Sequence, residues 1–340
     1  MRHLSLWLDR YSSRRSQILD SWSGFARAVD EMRLKMPRER VFSKLESSTE
    51  PAGRLAFVDG GEGLRELVGL GMYFIRASGL VLSHGEDSHQ GELFVRDLDM
   101  NVIDYDDHVK ERVELLRDSM EYDVAIRCVE EHSPRMLFLD GSLYVKAKRK
   151  PLECMEYELY RKRFARLMRL CKRKHVKLVG VSEDSRSRLF AHHLTSEHKV
   201  RFPKHMTDST ILRILSGGGG YRSVGFTPES RFEVDDAGEG MVFRFPTAYL
   251  QPTELSNPLR IDVPDWDSSL DEAVSLTAAL CRGSGTYGYP LPMYLAHLDA
   301  HIPPHQMDWT VTQMVSYLSK HDPLLANGVF RKTRRDSRPK

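Results

Sequence analysis

The 340-residue chain has no apolar run approaching the ~18 residues of a membrane span, and its first residues, MRHLSLWLDRYSSRRSQ, lack the apolar centre of a secretory leader. A cytoplasmic protein is therefore expected. Its cysteines are few. Cys128, Cys154, Cys171 and Cys281 form no C-x-x-C pair, which argues against a zinc ribbon or disulfide scaffold and predicts core-filling thiols in a reducing compartment. There is no low-complexity tract. Charge of one sign is lacking too, since the net charge is only +2. It is unevenly spread, however: thirteen Lys or Arg against three acids lie between Lys146 and Lys177, so the remainder is net acidic. One basic segment on an acidic body predicts a polyanion-binding face, its bland alternative being a solvated helix surface. The C-terminal FRKTRRDSRPK is basic, and residues 326–340 are expected to be disordered.

What is present is a pair of near-copies. Residues 54–61 read RLAFVDGG and residues 135–142 read RMLFLDGS. A four-residue apolar run of this kind predicts a strand buried on both faces, and the small residues after each aspartate mark an abrupt end. Asp59 and Asp140 then sit where two interior strands open to solvent. If the strands are parallel neighbours, two carboxylates meet at one sheet edge, a site for a divalent cation.

The periodicity predicts a helix over 4–35, a polar linker to 53, and strands at 54–58, 72–82 and 92–103, with a polar turn between the last two. It continues with a helix over 107–131, a strand at 136–139, a basic amphipathic helix over 153–174 and a strand at 176–182. That order matches an α/β fold of ribonuclease H-like type, a mixed sheet flanked by helices, in which right-handed crossovers set the fourth strand beside the first. The second half predicts strands at 241–250 and 258–264 and helices at 268–282 and around 293–300. The run SGGGGYRS (216–223) reads as a surface loop, because no strand–loop–helix context makes it a phosphate cradle. Three parts are expected: residues 1–50 as an N-terminal helical extension and linker, 51–325 as the principal domain with its core at about 54–182, and the tail.

A two-metal phosphodiesterase needs further carboxylates around its ions. Glu121 borders the apolar stripe of the 107–131 helix; Glu114 lies two turns earlier on the same flank and Asp123 on the other, and periodicity does not choose among them. His297, His301 and His305 are spaced by four, but Pro303 and Pro304 interrupt the helix that would align them. His297 follows the turn YGYPLP and is a candidate for orienting water or phosphate.

Seven segments together resemble the NurA nuclease family of archaeal and bacterial DNA end-processing enzymes. They are FVDGG, RDSMEYDVA, LFLDGSL, GVSEDSRSRLF, FPTAYLQ with PLRIDVP, and GYPLPMYLAHLDA, in the family's order over roughly residues 50–305. The resemblance implies a ribonuclease H-like, manganese-dependent nuclease, with Mg2+ as the alternative ion, that resects DNA 5′ to 3′ and cuts single strands. It also implies a homodimer acting with the hexameric HerA translocase in double-strand-break repair, hence an association with the nucleoid. The N-terminal amphipathic segment and the C-terminal helix are the surfaces available for those contacts. Carried over by position, the metal-binding acids are Asp59, Glu121 and Asp140, the Arg117-x-x-x-Glu121 element favouring Glu121, with Tyr249 and His297 as looser matches to late active-site positions. DNA-guiding cations are expected at Arg161, Arg166, Arg169, Lys172 and Arg173. One departure stands out: after GVS the family commonly has lysine, whereas this chain has Glu183 and Asp184, leaving Arg186 or Arg188 to meet phosphate. Two rival readings remain. An actin-like or sugar-kinase-like ATPase also ends strands in Asp-Gly pairs, although the second half does not repeat the strand–helix pattern. The other is a non-catalytic DNA-end adaptor on a degenerate nuclease fold.

Overall fold

A computed structural model describes residues 2–36, 38–45, 52–84, 93–144, 153–183, 186–204, 206–229, 231–236, 239–266, 268–284 and 287–328. The chain opens with α1 (Arg2–Lys35), α2 (Arg38–Val41) and β1 (Phe42–Lys44). Three long strands follow, β2 (Gly53–Glu66), β3 (Gly71–His84) and β4 (Leu93–Ile103), then α3 (Val109–His132), β5 (Met136–Asp140), α4 (Met155–Lys174) and β6 (Lys177–Ser182). The second half contains α5 (Leu189–His198), α6 (Asp208–Ser216), β7 (Tyr221–Ser223), the hairpin β8 (Arg231–Asp236) and β9 (Glu239–Arg244), β10 (Thr247–Gln251) and β11 (Leu259–Asp262). Helices α7 (Leu270–Cys281), α8 (Leu291–Ala300), α9 (Pro304–His321) and α10 (Pro323–Gly328) complete it.

Nine strands form one mixed sheet in the order β1-β7-β10-β11-β6-β5-β2-β3-β4. Strands β2, β3 and β4 pair antiparallel, and β5 lies parallel to β2 with Leu55 opposite Met136 and Val58 opposite Leu139. Strand β6 is parallel to β5 in turn. This is the ribonuclease H-like order the sequence predicts, and it makes the two near-copied strands neighbours. Alternation divides their side chains between two cores. Ala56, Val58, Leu137 and Leu139 pack under α3 and α4, while Leu55, Phe57, Met136 and Phe138 face α7 and the start of α8. The rings of Phe57 and Phe138 stack 4.9 Å apart across the strand pair.

Several details differ from the sequence reading. The linker before residue 53 contributes β1, which pairs with β7 at the sheet margin. The expected single strand at 241–250 is split: β9 ends at Arg244 and β10 starts at Thr247, because Pro246 has no N–H for a ladder. Helices α5 and α6 lie where the sequence reading predicts no element. Of the expected tail, residues 326–328 close α10 and 329–340 lie outside the described residues, as do the polar turn at 85–92, His205 and residues 145–152 of the basic segment.

Candidate active site

Asp59 and Asp140 share the parity of Phe57 and Phe138, so both carboxylates leave the sheet on the α8 side. Asp59 is 2% exposed, and its Oδ1 accepts from the Gly60 amide at 2.7 Å. His297, on α8, places Nδ1 2.7 Å from Asp59 Oδ2 while half of its side chain remains in solvent. One donor atom each from Asp59, Asp140 and His297 lies within 4.8 Å of the others, and no other such trio occurs among the described residues.

Burial pushes the Asp140 carboxyl up to about 7, and the neighbouring charges of Asp59 and Glu183 push the same way. Opposing them is the Tyr289 hydroxyl, which donates to Asp140 Oδ1 at 3.0 Å. The turn before α8 thus brackets the pair, with Tyr289 on Asp140 and, two helical turns later, His297 on Asp59.

Glu121 arrives from the opposite face. It lies on α3 over Gly60, close enough that a Cβ there would fall 2.5 Å from Glu121 Oε1. This is the reason glycine follows Asp59: any side chain would occupy the carboxylate's place. Glu121 is 3% exposed, and burial holds its carboxyl well above the usual range. Arg117 stands 3.0 Å from Oε1 as an ion pair, yet that buried oxygen makes no hydrogen bond. The same guanidinium meets Asp118 at 2.6 Å, Glu62 at 3.1 Å and the Gly60 carbonyl at 3.3 Å. Glu121 and Asp140 both line a small polar cavity of about 60 Å³. Of the other two helix acids, Asp123 pairs with Arg163 at 2.5 Å, and Glu114 lies nearly two turns N-terminal to Glu121.

The loop after Asp140 is tied down from β11. Ser142 donates to Asp262 Oδ2 at 3.0 Å and accepts from Arg260, and buried Arg260 and Asp262 pair at 2.8 Å. The Tyr144 hydroxyl donates to the Phe245 carbonyl. Gly141, at φ +106°, takes the left-handed turn that leaves the strand abruptly.

Other candidates lie elsewhere. Tyr249 is on β10, three strands from β5, and its buried hydroxyl is 2.7 Å from Asp208 and 2.8 Å from Ser187. Asp208 also caps α5 through the amides of Phe190 and Ala191, so Tyr249 belongs to a polar knot under α5, three strands along the sheet from Asp140. Tyr289 is the tyrosine whose hydroxyl donates to Asp140. Its signal was in the sequence, eight residues before His297 in the segment GYPLPMYLAHLDA. The basic helix α4 also runs the other way. It starts at the carboxylate edge and carries Arg161, Arg166, Arg169, Lys172 and Arg173 progressively toward the far edge, where β6 begins. Arg166 pairs with Glu130 on α3. Arg186, exposed, and Arg188, which donates to the Phe202 carbonyl, follow β6 and lie on the carboxylate side. Glu183 follows the end of β6 near Asp140 and accepts a hydrogen bond from the Tyr287 hydroxyl.

Two carboxylates and an imidazole form a donor set suited to a hard or borderline divalent cation, and the unsatisfied Glu121 oxygen adds a further potential donor. Asp140 closes β5, whereas β2 does not stop at 58 as the sequence predicts but runs on through Asp59 and Gly60 to Glu66 against β3, so the acids sit where the two parallel strands part. A ribonuclease H-like sheet with acids at that point defines the class of metal-dependent nucleases. Within that class the chain belongs to the NurA family, whose domain model matches residues 53–302. The structure is similar to the NurA nuclease from Sulfolobus solfataricus at 15% identity, with TM-score 0.64 over 94% of this chain and 98% of that one. It is also similar to NurA bound to dAMP and manganese (12% identity, TM-score 0.57, 93% and 99% coverage) and to NurA with manganese (11%, 0.58, 93% and 100%). No curated protein sequence is similar to the chain. No helix among the described residues is long and apolar enough to cross a membrane.

Proposed function

We propose that this chain is a Mn2+-dependent DNA nuclease hydrolysing phosphodiester bonds at the Asp59–Asp140 edge, with Mg2+ as the alternative ion. The observation that carries the reading is the convergence of Asp59, Asp140 and His297 donor atoms within 4.8 Å at an edge open to solvent. Asp59 and Asp140 would hold the ions, and Glu121 would complete the set across Gly60. Bound there, a divalent ion supplies Lewis-acid polarisation of the phosphodiester and lowers the pKa of water. Each protein group then has a defined task. Asp140 must give up its proton to serve as a ligand, and the Tyr289 hydroxyl favours that ionised form. The exposed ring of His297, fixed by Asp59, orients the attacking water or the scissile phosphate. Arg117 keeps the Glu121 carboxylate in place from behind. Exposed Arg186, which follows the end of β6, would meet a backbone phosphate, while Glu183 near Asp140 would disfavour close approach of phosphate on its flank.

Family membership supports the finer reading: 5′–3′ exonuclease action on duplex ends, endonuclease action on single strands, a homodimer, and partnership with a HerA-type hexameric translocase in end resection at the nucleoid. The test is digestion of end-labelled duplex and single strands with manganese, magnesium or chelator, with and without the translocase. Cleavage with either ion that chelation abolishes is expected. Binding without cleavage under every divalent ion would instead establish a DNA-end adaptor, and tight ATP binding by the isolated chain an ATPase.

A further inference from the structure

Asp140 is the last residue of β5, and the backbone beyond it is held by the turn that follows, residues 141–144. That turn folds over β6. The Gly141 amide donates to the Val181 carbonyl at 2.8 Å, and a Cβ on Gly180 would fall 2.8 Å from the Gly141 carbonyl oxygen and 3.0 Å from the Leu143 nitrogen. A bare backbone at Gly180 therefore lets the turn cross β6 and reach β11. There Ser142 Oγ uses its whole hydrogen-bonding capacity, one donor and two acceptors. It donates to Asp262 Oδ2 at 3.0 Å and accepts from the Tyr144 amide at 3.0 Å and from the Arg260 guanidinium. Arg260 and Asp262 stand two apart on β11, hence on one face, and both are buried. The guanidinium meets Asp262 Oδ2 through Nε at 3.2 Å and Nη2 at 2.8 Å, and Thr247 Oγ1 lies 2.9 Å from Oδ1. The far end of the turn touches the same pair, with the Arg260 guanidinium 5.3 Å from the centre of the Tyr144 ring.

A buried ion pair gains little stability over apolar side chains of similar volume, because desolvation offsets its attraction. What apolar residues would not supply here is direction, since Ser142 is fixed by three bonds of set geometry. We propose that Arg260 and Asp262 are positioning residues, which act through Ser142 to hold the 141–144 turn, and with it the Asp140 carboxylate, in the arrangement that takes a divalent cation. The turn also walls the small cavity that Glu121 and Asp140 share, because Gly141, Ser142 and Tyr144 line it with them. Loosening the turn would change the shape of that cavity. The proposal rests on the nuclease reading of the acids and adds the residues that keep one of them preset. In this role none of the three side chains touches the ion or the substrate.

The test is Mn2+ binding by the full chain, followed through the electron paramagnetic resonance signal of the free ion and counted as the uptake that Asp140→Asn removes. Ser142→Ala leaves the Arg260–Asp262 pair in place and cuts only its link to the turn. It should bind Mn2+ about tenfold more weakly, the lower end of the usual cost of losing a group that orients a metal ligand. The melting temperature of the metal-free protein should stay near that of wild type. Ser142→Thr keeps the hydroxyl and should bind as wild type does. Arg260→Met with Asp262→Leu leaves no orphaned charge, so it should keep the metal-free melting temperature yet lose about 10- to 100-fold in Mn2+ affinity. A purely structural pair would give the reverse, a lower melting temperature with unchanged Mn2+ affinity, and that result would overturn the proposal. Wild-type affinity in Ser142→Ala, or a Ser142→Thr as weak as Ser142→Ala, would overturn it too. Ser142→Ala decides the matter if the double variant fails to fold. A wild type that takes up no Mn2+ would sink the nuclease reading along with this one, whereas tight binding shared by wild type and Ser142→Ala would remove the positioning role alone.

Discussion

Asp59 and His297 are 238 residues apart in sequence, and their side chains meet at 2.7 Å. The contact joins an interior strand to α8, so the imidazole is held by the acid it serves while its other edge is open to substrate. Replacing His297 by alanine should lower single-turnover cleavage about 10²-fold, the usual cost of losing an orienting or proton-transferring group. Wild-type rates in His297→Ala would remove His297 from the mechanism.

Tyr289→Phe deletes the hydrogen bond that favours ionised Asp140. The Asp140 carboxyl, already at about 7, should rise further. The acid limb of the pH–rate profile then shifts to higher pH by about one unit, giving roughly tenfold less activity near pH 6.5 and near-normal activity above about pH 9. A profile lowered equally at every pH would assign Tyr289 a role unrelated to Asp140.

The same carboxyl makes stability depend on pH. Its folded value, about 7, lies above the unfolded value near 3.8. As pH rises between those values the unfolded chain releases a proton that the native state keeps, so native stability falls, and the penalty is complete above about pH 7. A cation bound at the acids offsets it. The rise in melting temperature on adding Mn2+ should therefore be larger at about pH 8 than at about pH 6, and Asp140→Asn should abolish the difference. An equal rise at both pH values would contradict the site.

Gly61 lies against the end of α8, where a Cβ would collide with the Ala300 carbonyl. Gly61→Ala should cost about 1–3 kcal/mol in denaturant unfolding, as overpacking does. It should also reduce cleavage by displacing the helix that carries His297. Unchanged stability would mean that α8 sits less tightly on β2 than the geometry indicates.

The sheet order was legible because it follows from short apolar runs and chain direction: two strands of like sequence, the second reached through the crossover helix α3, have one right-handed arrangement. Asp59 and Asp140 followed from it. The partners of those acids were harder to read. Tyr289 stands in the same segment as His297, but its contact with Asp140 comes from the packing of the turn before α8 on β5, which the sequence does not display. The basic run on α4 signalled charge correctly, but where that charge points depends on a crossover helix running back from the edge where its strand ends.

Asp59→Asn and Asp140→Asn, assayed separately on linear duplex DNA with manganese, test the central claim most directly. Each should reduce cleavage by about 10³-fold or more, the equivalent of several kcal/mol of lost transition-state stabilisation. Both should remain folded and lose the thermal shift that Mn2+ gives the wild type. Full activity in both variants would contradict the account.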